Sequence, residues 1–175
     1  MKAIWYLLKC PIGAETDYAK ECQRLAKLDG EVLQEVICFQ YQRMLRYGGE
    51  WHLERRMLLP GCIFLSGAET VMQRYGVGNW LKKNDYTETK GEKNASLIPC
   101  RRPYIKEICP KGELIPLSKG IIRNGKVIVT SGPLKGREHL IRKLDRHKRT
   151  AEIEFPFDVQ KMRAIVGLEI YEKQI

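Results

Sequence analysis

A tight turn between two apolar segments sets the strongest restriction on the fold of this protein. Residues 132–136 read Gly-Pro-Leu-Lys-Gly and separate the alternating segment 125–131 from a second one that begins near Leu140. Glycine and proline at this spacing favour a reversal of the chain, and alternating apolar residues favour strands. The second strand runs into the basic segment 142–149. A strand pair that ends in such a cluster is typical of a small β-barrel that holds nucleic acid.

The same alternation continues to the C-terminus. Apolar residues alternate with polar ones at 151–155, 162–166 and 168–170. Together with 125–131 and 140–144, these segments make five strands in about 50 residues, without a helical period. The pattern predicts a small five-stranded β-barrel over residues 121–175.

The first part of the chain mixes strand and helix patterns. Tyr18, Cys22 and Leu25 recur at helical spacing, and acidic Glu15 and Asp17 suit the first turn of a helix. The predicted elements are a strand at 2–9, a helix at 15–28, one or two strands within 32–47, a hairpin turn at Gly48-Gly49, strands at 51–59 and 62–65, and a helix at 68–75 with Ser66 as N-cap. This order predicts an α+β domain in which helices flank an antiparallel sheet.

Polar and irregular segments suggest where the chain divides. Residues 82–96 are polar and charged, which indicates an exposed loop, and 101–108 fit a short helix or an irregular segment equally well. We therefore predict a first domain at 1–110, a linker at 111–120 and a second domain at 121–175.

The charge balance favours a polyanionic partner. The chain has 31 Lys and Arg against 21 Asp and Glu, a formal net charge of +10. Binding to phosphates releases condensed counterions, so an excess of this size favours nucleic acid. No apolar run approaches the ~20 residues that span a bilayer, and we expect a cytoplasmic protein without a membrane partner.

The six cysteines do not form a metal-binding pattern. No two stand in a C-x-x-C pair, and the first four lie within apolar patterns. Reduced core thiols are the favoured interpretation, and a zinc site at Cys100 and Cys109 lacks nearby histidines. We predict neither a metal nor a cofactor. Catalysis is not expected either, because His52, His139 and His147 are scattered and the chain has no phosphate loop or nucleophile motif.

Both halves resemble the NusG family of transcription elongation factors. Trp5-Tyr6, Gly13-x-Glu15 and the stretch 55–64 resemble its N-terminal (NGN) domain, and 125–149 resembles its KOW motif. The match covers nearly the whole chain in the family's order and is closest to the specialised paralogues called LoaP. In two places the chain departs from the pattern, because His139 stands where KOW motifs carry glycine and Cys62 where the family has tyrosine.

The resemblance implies an SH3-like KOW barrel that meets nascent RNA, in particular a leader hairpin. The basic residues that would contact RNA are Lys135, Arg137, His139, Arg142, Lys143, Arg146, His147, Lys148 and Arg149. Glu138 and Asp145 are the only acidic residues between 126 and 151. The basic side chains there repel one another with little compensation, and a polyanionic partner would reduce that repulsion.

The resemblance also implies docking on the clamp helices of RNA polymerase. The residues that would make this contact are Leu58, Leu59, Pro60 and Phe64. Two adjacent leucines on one strand face opposite sides of a sheet, which would leave one of them exposed, but for any single residue of this set core packing is as good an explanation as an interface.

Two functions of different class follow from these observations. The first is a monomeric, processive transcription antitermination factor that binds polymerase, leader RNA, and ribosomal or other elongation factors. The second is an RNA-binding or ribosome-associated KOW module that has no direct effect on polymerase.

Overall fold

The computed structural model describes residues 3–28, 33–68, 96–109 and 111–175. In these ranges the protein is mostly strand, with helix α1 at Glu15–Leu28 and helix α2 at Ile105–Ile108. The strands are β1 Ala3–Lys9, β2 Glu35–Ile37, β3 Gln40–Tyr47, β4 Glu50–Met57, β5 Cys62–Ala68, β6 Ser96–Cys100, β7 Leu114–Ile115, β8 Ser118–Arg123, β9 Lys126–Ser131, β10 Ile141–Asp145, β11 Thr150–Phe157 and β12 Gln160–Gln174.

The chain divides into two compact units that do not follow the predicted boundary. The first contains Met1–Cys38 and Pro60–Pro103, and the second contains Phe39–Leu59 and Tyr104–Ile175. The β3–β4 hairpin, which we had placed in the first domain, therefore groups with the C-terminal strands.

The first unit is built on a four-stranded sheet in the order β2-β5-β1-β6. Leu8, Ile63 and Leu65 have no exposed surface and form the centre of its core. Helix α1 begins at Glu15, whose side chain is 2% exposed and accepts the backbone N–H groups of Gly13 at 2.8 Å and Gly61 at 2.7 Å. Through these two hydrogen bonds the buried carboxylate connects the start of α1 to the turn before β5.

The second unit contains two sheets. One has five strands in the order β10-β11-β12-β8-β9, and the other has the order β4-β3-β7. The long strand β12 pairs with β11 through residues 160–167 and then with β8, in parallel, through residues 168–174. Leu134, Ile153 and Leu168 are completely buried. In the described ranges none of the three sheets closes on itself, so the predicted barrel is found as an open five-stranded sheet.

Several predicted elements are confirmed. Strand β1 and helix α1 lie where the patterns placed them, and the region 32–47 contains two strands. The hairpin turn at Gly48-Gly49 joins β3 to β4, with Tyr47 opposite Glu50. The Gly-Pro-Leu-Lys-Gly turn follows β9, and Gly132 has φ +93 there, with Ser118 so close that a side chain would not fit.

Other predictions were wrong. The proposed linker 111–120 contains β7 and the start of β8, and the segments 162–166 and 168–170 belong to one strand. Ser66 cannot be an N-cap because it lies within β5, opposite Trp5 and Glu35. Strand β6 was missed: it begins at Ser96, where we had predicted the end of a loop.

Two predicted segments fall mainly outside the described residues. Of the predicted helix 68–75, Ala68 ends β5 and the remainder is not described. Of the predicted loop 82–96, only Ser96 is described.

All the cysteines except Cys100 are buried. Burial raises the pKa of Cys10 to about 11 and that of Cys22 to about 12, which keeps both thiols protonated at neutral pH.

Among the described residues, no group of three or more His, Cys, Asp or Glu side chains could hold a metal ion. None of the described helices is long and apolar enough to cross a bilayer.

Candidate nucleic-acid interface

The β10–β11 connection is a turn of four basic residues, 146–149, closed by its own hydrogen bonds. The Asp145 carboxylate accepts the backbone N–H of Lys148 at 2.9 Å, and this bond is the main reason why the pKa of Asp145 is lowered. Arg149 has φ +51, and its carbonyl accepts the N–H of Leu168 at 3.0 Å. The turn is thereby attached to β12.

Arg149 is held by contacts on two sides. Its guanidinium lies over the ring of Trp51, with Cζ 3.7 Å from the ring centroid. Its Nη1 also donates to the Glu169 carboxylate on β12, which lies 3.9 Å from Lys119 Nζ. The Arg149 side chain remains 27% exposed. A cation over an aromatic ring with a carboxylate at its edge has a well-defined orientation.

An open cleft of about 820 Å³ lies beside this stack in the second unit. Its lining residues come from the β3–β4 hairpin, the basic turn and β12: Arg46, Trp51, Lys143, Leu144, Asp145, Arg146, His147, Arg149 and Ile170. Four of these are permanently cationic and one is acidic. In the described part of the chain, no carboxylate oxygen lies within 4 Å of the side-chain nitrogens of Arg46, Lys143 or Arg146. The cleft therefore presents unneutralised positive charge next to an aromatic ring.

The structure brings together four of the nine predicted RNA contacts, Lys143, Arg146, His147 and Arg149, in this cleft. Lys148 is in the same turn but does not line the cleft, and its Nζ lies 3.9 Å from Asp145. The ammonium group of Lys148 is therefore close to the carboxylate of the last residue of β10.

Arg142 belongs to a different cluster. Its Nη2 lies 3.1 Å from Glu154, and that carboxylate also contacts Lys161 and Arg163. A hydrogen bond from Arg163, with the charges of Arg142 and Lys161, lowers the pKa of Glu154. Arg142 is thus partly neutralised on the strand surface.

The three predicted contacts nearest the Gly-Pro turn also lie outside the cleft lining. The Arg137 guanidinium donates to the carbonyl oxygens of Glu107 at 3.1 Å and Pro133 at 3.3 Å. Its contacts are those of a residue that stabilises the fold. Lys135 and His139 are exposed on the turn and on the short 3-10 helix Glu138–Leu140.

The expectation that one of the two adjacent leucines is exposed was wrong. Leu58 is 4% exposed and Leu59 is 8% exposed. Strand β4 ends at Met57, so the alternation of a strand no longer applies to them. Phe64 is also buried, and of the four predicted polymerase contacts only Pro60 is exposed.

Sequence reasoning missed Arg46, Trp51 and Ile170. Arg46 and Trp51 are opposite each other on β3 and β4, so their side chains share one face of the hairpin. The Gly-Gly turn and strand alternation could have predicted that pairing. Their approach to the basic turn, about 100 residues later in the chain, carries no local signal.

A comparison with protein families found none that matches this chain, and no curated protein matches it either. The fold and the cleft define the molecule as a mostly-β protein with a basic, aromatic-lined surface in its second unit.

Proposed function

We propose that this protein is a nucleic-acid-binding transcription factor of the NusG type, which acts as a processive antitermination factor. The observation that carries the proposal is the clustering of Arg46, Lys143, Arg146 and Arg149 around one open cleft. It is supported by the net charge of +10 and by the resemblance of the sequence to NGN and KOW domains.

The cleft has the electrostatics that a phosphate backbone requires. Like charges that lie close together repel one another, and a polyanion relieves that repulsion while releasing counterions. Lys143 and Arg146 are exposed and lie beyond salt-bridge distance of any described carboxylate, so nucleic acid would not have to displace an internal partner. We propose that nascent leader RNA, in particular a hairpin with its flanking or loop nucleotides, occupies this cleft.

In this proposal the five-stranded sheet is the counterpart of an SH3-like KOW barrel, and the four-stranded sheet with α1 is the counterpart of an NGN domain. The polymerase contact belongs to the first unit. Leu58, Leu59 and Phe64 are too buried to make it without rearrangement, whereas Pro60 is exposed and Ile12 is 79% exposed. We therefore propose that Ile12 and Pro60 contribute to the polymerase surface.

Transcription across a terminator in vitro tests the function. Purified protein should raise read-through on a template that carries a cognate leader, and the Lys143→Ala, Arg146→Ala double variant should lose most of this effect. Lys135→Ala is the matched control, because Lys135 is an exposed cation of the same unit outside the cleft lining. Equal read-through with and without the wild-type protein, on every leader tried, would reject antitermination.

A second candidate is an RNA-binding or ribosome-associated module without a direct effect on polymerase. The observation that favours it is that every residue lining the cleft belongs to the second unit. A pull-down with core RNA polymerase separates the two candidates. Retention of polymerase that Ile12→Asp abolishes supports the transcription factor, whereas RNA binding without any retention supports the module.

A further inference from the structure

We propose that Trp51 and Arg149 form a stacking platform for an unpaired nucleobase, so that the cleft takes single-stranded rather than fully paired nucleic acid. This inference rests on the proposed function and deepens it. It adds a subsite for a base to a cleft whose cations by themselves account only for phosphates.

The platform consists of two stacked planar groups. The Arg149 guanidinium lies 3.7 Å from the centroid of the Trp51 ring. One face of the guanidinium is therefore covered and its edge is paired with Glu169, while the main-chain carbonyl of Arg149 accepts the Leu168 N–H at 3.0 Å. The ring and the carboxylate orient the plane, and the main-chain bond holds the residue, before any ligand arrives.

The platform is nevertheless accessible. Both residues line the cleft, Trp51 is only partly buried and the Arg149 side chain is 27% exposed. Aromatic rings and arginine planes are the surfaces on which proteins stack unpaired bases. An ordered guanidinium loses little conformational entropy when a base stacks on it.

The surrounding charges fit a strand that runs past the platform. Arg46, Lys143 and Arg146 lie around the same cleft and are exposed, and in the described ranges they have no carboxylate within 4 Å. A single strand presents bases and phosphates at once, so it can satisfy the stack and the cations together. In a continuous duplex both faces of a base are covered by its neighbours, so a duplex could use only the cations.

The experiment measures binding of short oligonucleotides to the full-length protein by fluorescence anisotropy. The probes are labelled oligouridine of about ten nucleotides, the deoxy equivalent, and an abasic strand of equal length and charge. The variants are Arg149→Lys, which keeps the charge but loses the plane, and Trp51→Leu, which removes the ring. Trp51→Phe is the conservative control, and Lys143→Ala removes a cation but leaves the platform.

We expect wild-type protein to bind the base-bearing strand about tenfold more tightly than the abasic strand. Arg149→Lys and Trp51→Leu should lose this preference and keep their affinity for the abasic strand, while Trp51→Phe retains most of it. Lys143→Ala should weaken both strands by the same factor. Comparing the affinities for the ribose and deoxyribose strands shows whether the sugar contributes. A platform that contacts only the bases should bind both strands with the same affinity.

Three results overturn the inference, and they can be told apart. If wild-type protein binds base-bearing and abasic strands equally, the cleft is a phosphate site and the proposed function survives without the platform. The same holds if Arg149→Lys lowers the thermal unfolding midpoint but leaves the base preference unchanged, because the stack then only stabilises the fold. If none of the strands and no leader RNA binds, the proposed function fails and the platform fails with it.

Discussion

Gly167 on β12 lies directly against the backbone of Gln42 on β3. A Cβ atom at Gly167 would overlap the Gln42 carbonyl oxygen and would stand 2.7 Å from Leu117 Cδ1. The Gln42 side chain reinforces this approach by accepting the Leu117 N–H at 3.2 Å. Gly167 is paired with Thr150, and Thr150 directly follows Arg149 of the basic turn. The contact between Gly167 and Gln42 therefore brings the β3–β4 hairpin, which carries Arg46 and Trp51, close to the basic turn.

Gly167→Ala should therefore damage both the fold and the cleft. The added methyl group meets backbone atoms that cannot rotate away, and overpacking of this kind costs roughly 1–3 kcal/mol. We expect a lower urea midpoint and weaker oligonucleotide binding, because the hairpin must move away from β12. Ile165→Ala, on the same strand but 39% exposed, serves as control and should change neither measurement appreciably. Wild-type stability in Gly167→Ala would mean that the two strands lie further apart.

Leu59→Asp should unfold the protein rather than selectively weaken polymerase binding. Leu59 is 8% exposed, and a carboxylate placed there is desolvated without a partner, at a cost of roughly 3 kcal/mol or more. Circular dichroism during urea denaturation measures the loss. Ile12→Asp is the matched variant at an exposed site and should keep its stability while it weakens polymerase retention. A fully stable Leu59→Asp protein would show that this side chain can reach solvent.

The salt dependence of RNA binding should identify which cations contact phosphate. Lys143→Ala removes a cleft cation, and we expect the slope of log affinity against log salt to become shallower by roughly 0.7 on a single strand. Lys135→Ala should leave the slope unchanged. Titrations at four salt concentrations suffice to separate the two. Identical slopes for both variants would place the phosphates outside the cleft.

The Glu154 cluster should make part of the stability depend on pH. Arg163, Arg142 and Lys161 contact this carboxylate, and its pKa lies below the ordinary value of 4.5. A carboxyl whose pKa is lowered by folding stabilises the protein above its unfolded pKa, and it loses that effect as the pH falls through the folded value. The urea midpoint of wild type should exceed that of Glu154→Gln at neutral pH, and the two should converge below pH 4.5. A difference that stays constant down to acidic pH would show that the charge of Glu154 does not matter.

The local elements and the net charge could be predicted from the amino-acid sequence alone. Alternation located β1, β9 and β11, the Gly48-Gly49 turn indicated β4 after it, and helical spacing bounded α1. The Gly-Pro turn and the basic run are visible directly in the sequence. These features depend on residues close together in the chain, so a pattern over a few residues is enough to specify them.

Which basic residues lie together depends on tertiary packing. The folded chain places Arg137 against backbone carbonyls and Arg142 against Glu154. It brings a second group of basic residues beside the β3–β4 hairpin residues Arg46 and Trp51, namely Lys143, Arg146 and Arg149. It also buried Leu59 where strand periodicity had suggested that one of two leucines would be exposed. Each of these outcomes depends on contacts between residues far apart in the chain. Such contacts form when whole strands pack against each other, as at Gly167 and Gln42. The sequence around these residues has no periodic pattern that would predict the contact.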